Sequence, residues 1–216
     1  MRVKKAIAGV TAAAAALAGG VALAGPAQAT GKDTILDLVT AADRFTGTER
    51  DELDKFRWDQ RNWYDFDILT KLVAVDGTLL DAVQSPEAAV TLFAPNDRAF
   101  QLLAKDLTGR WFATETQTFN ALAAAVASGD VNLTNVLTYH VVDGKVVKAD
   151  VPFNTPVTTL NGGDIKFKKK WFGIRIQDEV SAFRNPTIIR TDIGAKSSHS
   201  VIHSISRVLI PANVGG

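Results

Sequence analysis

Thr91-Leu-Phe-Ala-Pro-Asn-Asp-Arg-Ala-Phe100 joins a short apolar run directly to a helix start. The run predicts a buried strand over 88–94. Pro95 ends it, because proline has no N–H to give to a ladder. Asn96 or Asp97 then caps a helix over 96–104 that carries Ala99, Phe100, Leu102 and Leu103. About 100 residues later comes Val201-Ile-His-Ser-Ile-Ser-Arg-Val-Leu-Ile-Pro211. Its apolar residues first alternate and then run together, which predicts a long buried strand over about 199–210. The two segments are expected to pair in one sheet and close one domain.

Further blocks lie between them. Tyr139-His140 ends an apolar run, and Thr159-Leu-Asn-Gly162 opens a hairpin turn. Together with Thr91, Phe93, Pro95 and Asn96 of the first block and His203 and Arg207 of the last, they resemble a fasciclin domain, in the family's order and at about its spacing. The resemblance covers roughly residues 65–211. It implies an α+β fold, a fasciclin-like β-sandwich or wedge with helices packed on one side. It also implies adhesion: binding to a cell-surface or extracellular-matrix component, protein or glycan, without catalysis and with no cofactor. The chain departs from the family at His199-Ser200, where Asn-Gly is usual, and at Ser206, where an acidic residue is usual.

The chain has 216 residues, and its start reads as a targeting segment. Met1-Arg-Val-Lys-Lys5 is basic, residues 6–24 are small and apolar, and Ala27-Gln-Ala29 is an A-x-A cleavage site, so residues 1–29 are expected to be a secretory signal peptide. A retained membrane helix is the rival reading of that stretch. Residues 30–64 are expected to form a helical extension and 212–216 a tail. Removing Arg2, Lys4 and Lys5 from the 24 basic residues leaves 21 against 23 acidic, a formal charge of −2. That balance gives no reason to expect a nucleic-acid partner. No second run approaches the ~20 apolar residues of a membrane span, so no membrane insertion of the mature chain is expected. Cysteine is absent, so export brings no disulfide and the core alone must hold the fold. The expected location is secreted or extracellular, including the cell surface.

Helices are expected over 33–44, capped by Asp33, and over 66–75, 78–83, 119–128 and a short stretch from Asn132 or Thr134 to Leu137. Residues 107–118 read as loop. Strands are expected over 157–160, 165–170, 172–177 and 187–191. Residues 49–67 mix charges with Phe56, Trp58, Trp63, Tyr64 and Phe66. These aromatics either dock on the domain or form an exposed contact surface. Helices first and strands later suit α+β, and no internal repeat is present.

Few residues suggest chemistry. His199 and His203 have a helical metal-ligand spacing, but on a strand residues four apart stand ~13 Å apart, too far for one small ion. His203 reads instead as a core histidine. Ser197-Ser198-His199 lacks a nucleophile elbow, and neighbours on a strand face opposite ways. No metal and no catalytic residue is therefore expected. In fasciclin domains the tyrosine–histidine motif is linked to receptor binding, which makes Tyr139 and His140 candidate contacts. From the residues themselves, Tyr139 reads first as a packed ring and His140 as a core hydrogen bond, ahead of direct contact. Lys166-Phe-Lys-Lys-Lys-Trp171-Phe172 with Arg175 is the one concentrated basic patch. Lys166, Lys168 and Lys170 share a strand face, with Lys169 and Trp171 beside them. They either guard a sheet edge or contact a polyanion such as an acidic cell-wall polymer or glycan, with Trp171 stacking on sugar. Asn132-Leu-Thr134 is a formal glycosylation sequon, of little weight behind a signal peptide of bacterial appearance. The alternatives to adhesion are an extracellular small-molecule or glycan carrier, marked by a deep apolar pocket with a few convergent polar groups, and a secreted hydrolase.

Overall fold

The computed structural model describes residues 34–35, 37–39, 62–76 and 88–214. The expected signal peptide, the Asp33 cap, Phe56, Trp58 and the helix over 78–83 lie outside the described residues. At 34–39 the cap position belongs to Thr34. Its Oγ1 accepts from Asp37 N at 3.1 Å, while its own N donates to Asp37 Oδ2 at 3.1 Å. This reciprocal pair is a capping box.

Helix α1 (Asp67–Val75) buries Ile68, Leu69, Leu72 and Val73 on one face. Strand β1 (Val90–Pro95) follows and is buried along its whole length. Asn96 then caps α2 (Asp97–Thr108), its side chain accepting from Ala99 N at 3.0 Å. Helix α3 (Glu115–Ala127) starts at Thr114, which accepts from Gln117 N. Helix α4 (Leu133–Tyr139) is capped by Asn132 through Asn135 N. The remaining elements are strands β2 (Val141–Asp143), β3 (Pro156–Thr158), β4 (Asp164–Lys170), β5 (Gly173–Gln177), β6 (Ile188–Ile193) and β7 (Val201–Ile205).

Two sheets form. One has the order β2-β1-β7-β6, the other β3-β4-β5. The two segments that open and close the domain do pair: β1 and β7 run parallel, with Leu92 opposite Ile202 and Pro95 opposite Ile205. Side-chain alternation on these strands then separates two cores. Leu92, Ala94 and Ile202 face the helices, packing with Leu69, Phe100 and Leu137. Phe93 and Ile205 face the second sheet, packing with Ile165, Phe167 and Ile176. The fold is therefore α+β, a β-sandwich with helices on one side, as expected. The sheets approach at β5 and β6, where Ile176 N donates to Pro186 O at 2.9 Å and Arg175 bridges Thr187.

Three sequence readings are corrected. The 107–118 loop shrinks to 109–114, because Thr114 caps α3 and starts it at Glu115, four residues before the expected start at Phe119. Tyr139-His140 ends a helix, with Tyr139 its last residue and His140 its C-cap. The long final strand stops at Ile205. Ser206 N still donates to Thr187 O at 3.0 Å, and further on side chains accept instead: Leu209 N donates to His140 Nε2 at 2.9 Å and Ile210 N to Asp178 Oδ2 at 3.2 Å.

Candidate functional site

The basic segment becomes the β4–β5 hairpin. Lys168 lies opposite Arg175 and Lys170 opposite Gly173, so Trp171 and Phe172 form a two-residue connection. Gly173 takes a φ of 137°, a conformation that L side chains rarely adopt. Ile165 and Phe167 point into the inter-sheet core. Alternation therefore sends Lys166, Lys168 and Lys170 to the solvent face, and Lys169 is exposed at the tip. Trp171 is 96% exposed, and its ring meets Phe172 edge-on at 5.3 Å between centroids. The Arg175 guanidinium lies over the Phe172 ring at 5.7 Å. Lys168 Nζ donates to the neutral Asn154 side chain at 3.1 Å. Among the described residues none of Lys166, Lys168, Lys169, Lys170 and Arg175 is ion-paired; Arg207 with Asp106 is a pair, at 2.8 Å. β4 lies between β3 and β5, but β3 reaches only Lys166, so Lys168 to Lys170 are paired along the sheet by β5 alone.

The other candidates are interior. Tyr139 is fully buried and its hydroxyl donates to Asp164 O at 2.9 Å. Burial, then the Glu179 and Asp178 carboxylates, push its ionisation up. A Cβ on Gly163 would lie 3.0 Å from the Tyr139 ring and 2.9 Å from the Glu179 carboxylate, so the turn packs closely against both. His140 is buried between Val136 O, 2.7 Å from Nδ1, and Leu209 N. Desolvation lowers its pKa to about 4. His203 is also buried, with Nε2 at 2.8 Å from Val146 O, Nδ1 accepting from Asp192 N at 3.3 Å, and its ring stacked on Phe93. Both ring nitrogens of His203 are thus engaged. Ser198 is buried, its hydroxyl accepting from Ser200 N, and Ser200 in turn donates to Ala88 O at 2.6 Å. Thr91 Oγ1 donates to Gly144 O and accepts from Val146 N. In the aromatic extension Trp63 is half-buried, Tyr64 exposed and Phe66 buried.

Sequence reasoning missed a cluster at the start of α2. Carboxyl oxygens of Asp65, Asp97 and Glu115, all buried, lie within 4.8 Å of one another, oxygen donors of the kind that suit a hard cation. Asp97 Oδ1 accepts from Ile68 N at 3.0 Å, and Asp97 N and Arg98 N donate to Asp65 O and Trp63 O. Burial foremost, then Asp65, raises the Asp97 pKa well above the carboxylate range. Only the fold could reveal this cluster, since its members come from three separate segments. A small cavity of about 30 Å³ lies among α1, α2, α3 and α4, lined by Leu72, Phe100, Leu122, Val136 and other apolar side chains. His140 reaches its wall with both ring nitrogens already occupied. It therefore lacks the convergent polar groups of a carrier pocket.

The fasciclin domain family matches residues 65–211. The chain belongs to the fasciclin family. A relative, Protein sll1483 of Synechocystis sp. (strain ATCC 27184 / PCC 6803 / Kazusa), is 30% identical over 142 residues. The alignment takes in 66% of this chain and 66% of that relative. A solved structure of a FAS1 domain pair from the insect cell adhesion molecule fasciclin I aligns at 14% identity with a TM-score of 0.49, covering 70% of this chain and 49% of that one. Fasciclin domains are generally non-catalytic, mediate protein interactions and are typically extracellular or at the cell surface. No helix among the described residues is long and apolar enough to cross a membrane.

Proposed function

We propose that this fasciclin protein is a secreted adhesion module that binds a cell-surface or matrix component without catalysis, through the β4–β5 hairpin. The observation that carries the reading is the hairpin tip. Trp171 is 96% exposed beside Phe172, with Lys169 and Lys170 next to them. Large aromatics are usually inside. Tryptophan is enriched where proteins bind, and this indole is left in water with Lys169 and Lys170 beside it. Tyr139 supports the sheet from within, fastening α4 to the start of β4 through Asp164 O, while His140 ties α4 to Leu209.

The test is binding of the purified protein to intact cells and to isolated cell-wall fractions across a salt series. Saturable binding that weakens sharply in Trp171→Ala and persists in Tyr139→Phe is expected. Absence of saturable binding, or a Trp171→Ala variant that binds like wild type, would overturn the proposal.

A further inference from the structure

We infer that the solvent face of the β3-β4-β5 sheet is a track for a linear, carboxylate-bearing polysaccharide. This rests on the reading of the hairpin as the binding site and names the chemistry of its partner.

The arrangement of charge is the first observation. Lys166, Lys168 and Lys170 alternate onto one face of β4. At the rise of a strand they stand about 7 Å apart and span roughly 13 Å. Arg175 lies directly across from Lys168 and so shares that face. The cations form a line along one strand face, which matches a regularly charged extended chain.

The second observation is that the line costs stability. Like charges directly opposite one another on neighbouring strands repel. Lys168 and Arg175 are such a pair, and among the described residues no carboxylate neutralises either. A bound row of carboxylates relieves that repulsion, and the Arg175 fork suits a planar carboxylate. The row has defined ends. At one stands Asp164, whose carboxylate accepts from Thr158 Oγ1 at 2.8 Å. At the other stands Trp171, with an indole face open for the apolar face of a sugar ring. A charge line ending in a stacking platform suits a charged glycan better than a protein.

Polygalacturonate serves as probe, with neutral dextran of similar length and phosphatidylglycerol vesicles beside it. Wild type is expected to bind polygalacturonate, to release it as salt rises, and to ignore dextran and vesicles. The triple variant Lys166→Gln, Lys168→Gln, Lys170→Gln should bind roughly tenfold more weakly and unfold at a higher temperature than wild type, because the repulsion across from Arg175 is gone. No binding of polygalacturonate, equal binding by the triple variant, or binding of vesicles in its place overturns the inference. If the protein still adheres to cells in a Trp171-dependent way while polygalacturonate fails, the adhesion reading survives and the polysaccharide track does not.

Discussion

Acidification tests how His140 is held. Leu209 N can only donate, so His140 Nε2, 2.9 Å away, must be an unprotonated acceptor, and the ring hydrogen sits on Nδ1 toward Val136 O. A second proton would set one N–H against another in a buried site. Desolvation therefore lowers the pKa from 6.5 to about 4, partly opposed by the Val136 hydrogen bond. The unfolded chain takes up the proton as pH falls through the ordinary histidine value, and the folded chain does not. Stability from this group is fully present above that value and is lost as pH falls toward the folded one. At 1.36 kcal/mol per unit, the full displacement amounts to about 3 kcal/mol. Urea unfolding between pH 4 and 8, for wild type and His140→Gln, measures it. Glutamine keeps an acceptor for Leu209 and does not titrate. Asp178, raised to about 6 by burial, and Asp97 act oppositely, losing stability as pH rises, but do so in both proteins. The stability difference between wild type and variant should therefore shrink by about 3 kcal/mol from pH 7 to pH 4. A difference that stays constant would refute the reasoning.

Two other substitutions test the interior. Asp97→Asn retains an acceptor for Ile68 N and removes the carboxyl whose burial opposes ionisation. It should raise stability at pH 7 and flatten its decline between pH 4 and 8; a less stable variant with an unchanged pH slope would count against this. His203→Ala removes partners of Val146 O and Asp192 N and a ring stacked on Phe93. A loss of about 2–4 kcal/mol is expected, with the same melting curve in the presence and absence of a chelator. A chelator-dependent shift confined to wild type would instead assign His203 a metal.

The sequence by itself determined the central layer of the fold. A proline closing an apolar run, a capping asparagine and a second apolar run are local signals, and the local chain answers them: β1 ends at Pro95 and Asn96 caps α2. Period-two alternation likewise put Lys166, Lys168 and Lys170 on one strand face and Phe167 on the other, because strand geometry leaves no other choice; the packing of the two sheets made the Phe167 face the inner one. The cap at Thr114 and the end of β7 at Ile205 were not legible. A single hydroxyl decides the first, and acceptors on His140 and Asp178, far away in sequence, decide the second. The packed reading of Tyr139 and His140 was open to the sequence, but their partners Asp164 O and Leu209 N and the exposure of Trp171 were set by tertiary structure, since these depend on what the rest of the chain packs against a residue. It also brought Asp65, Asp97 and Glu115 together and set Arg175 across from Lys168. Such contacts depend on register and on loop closure between distant segments, which no window of sequence contains.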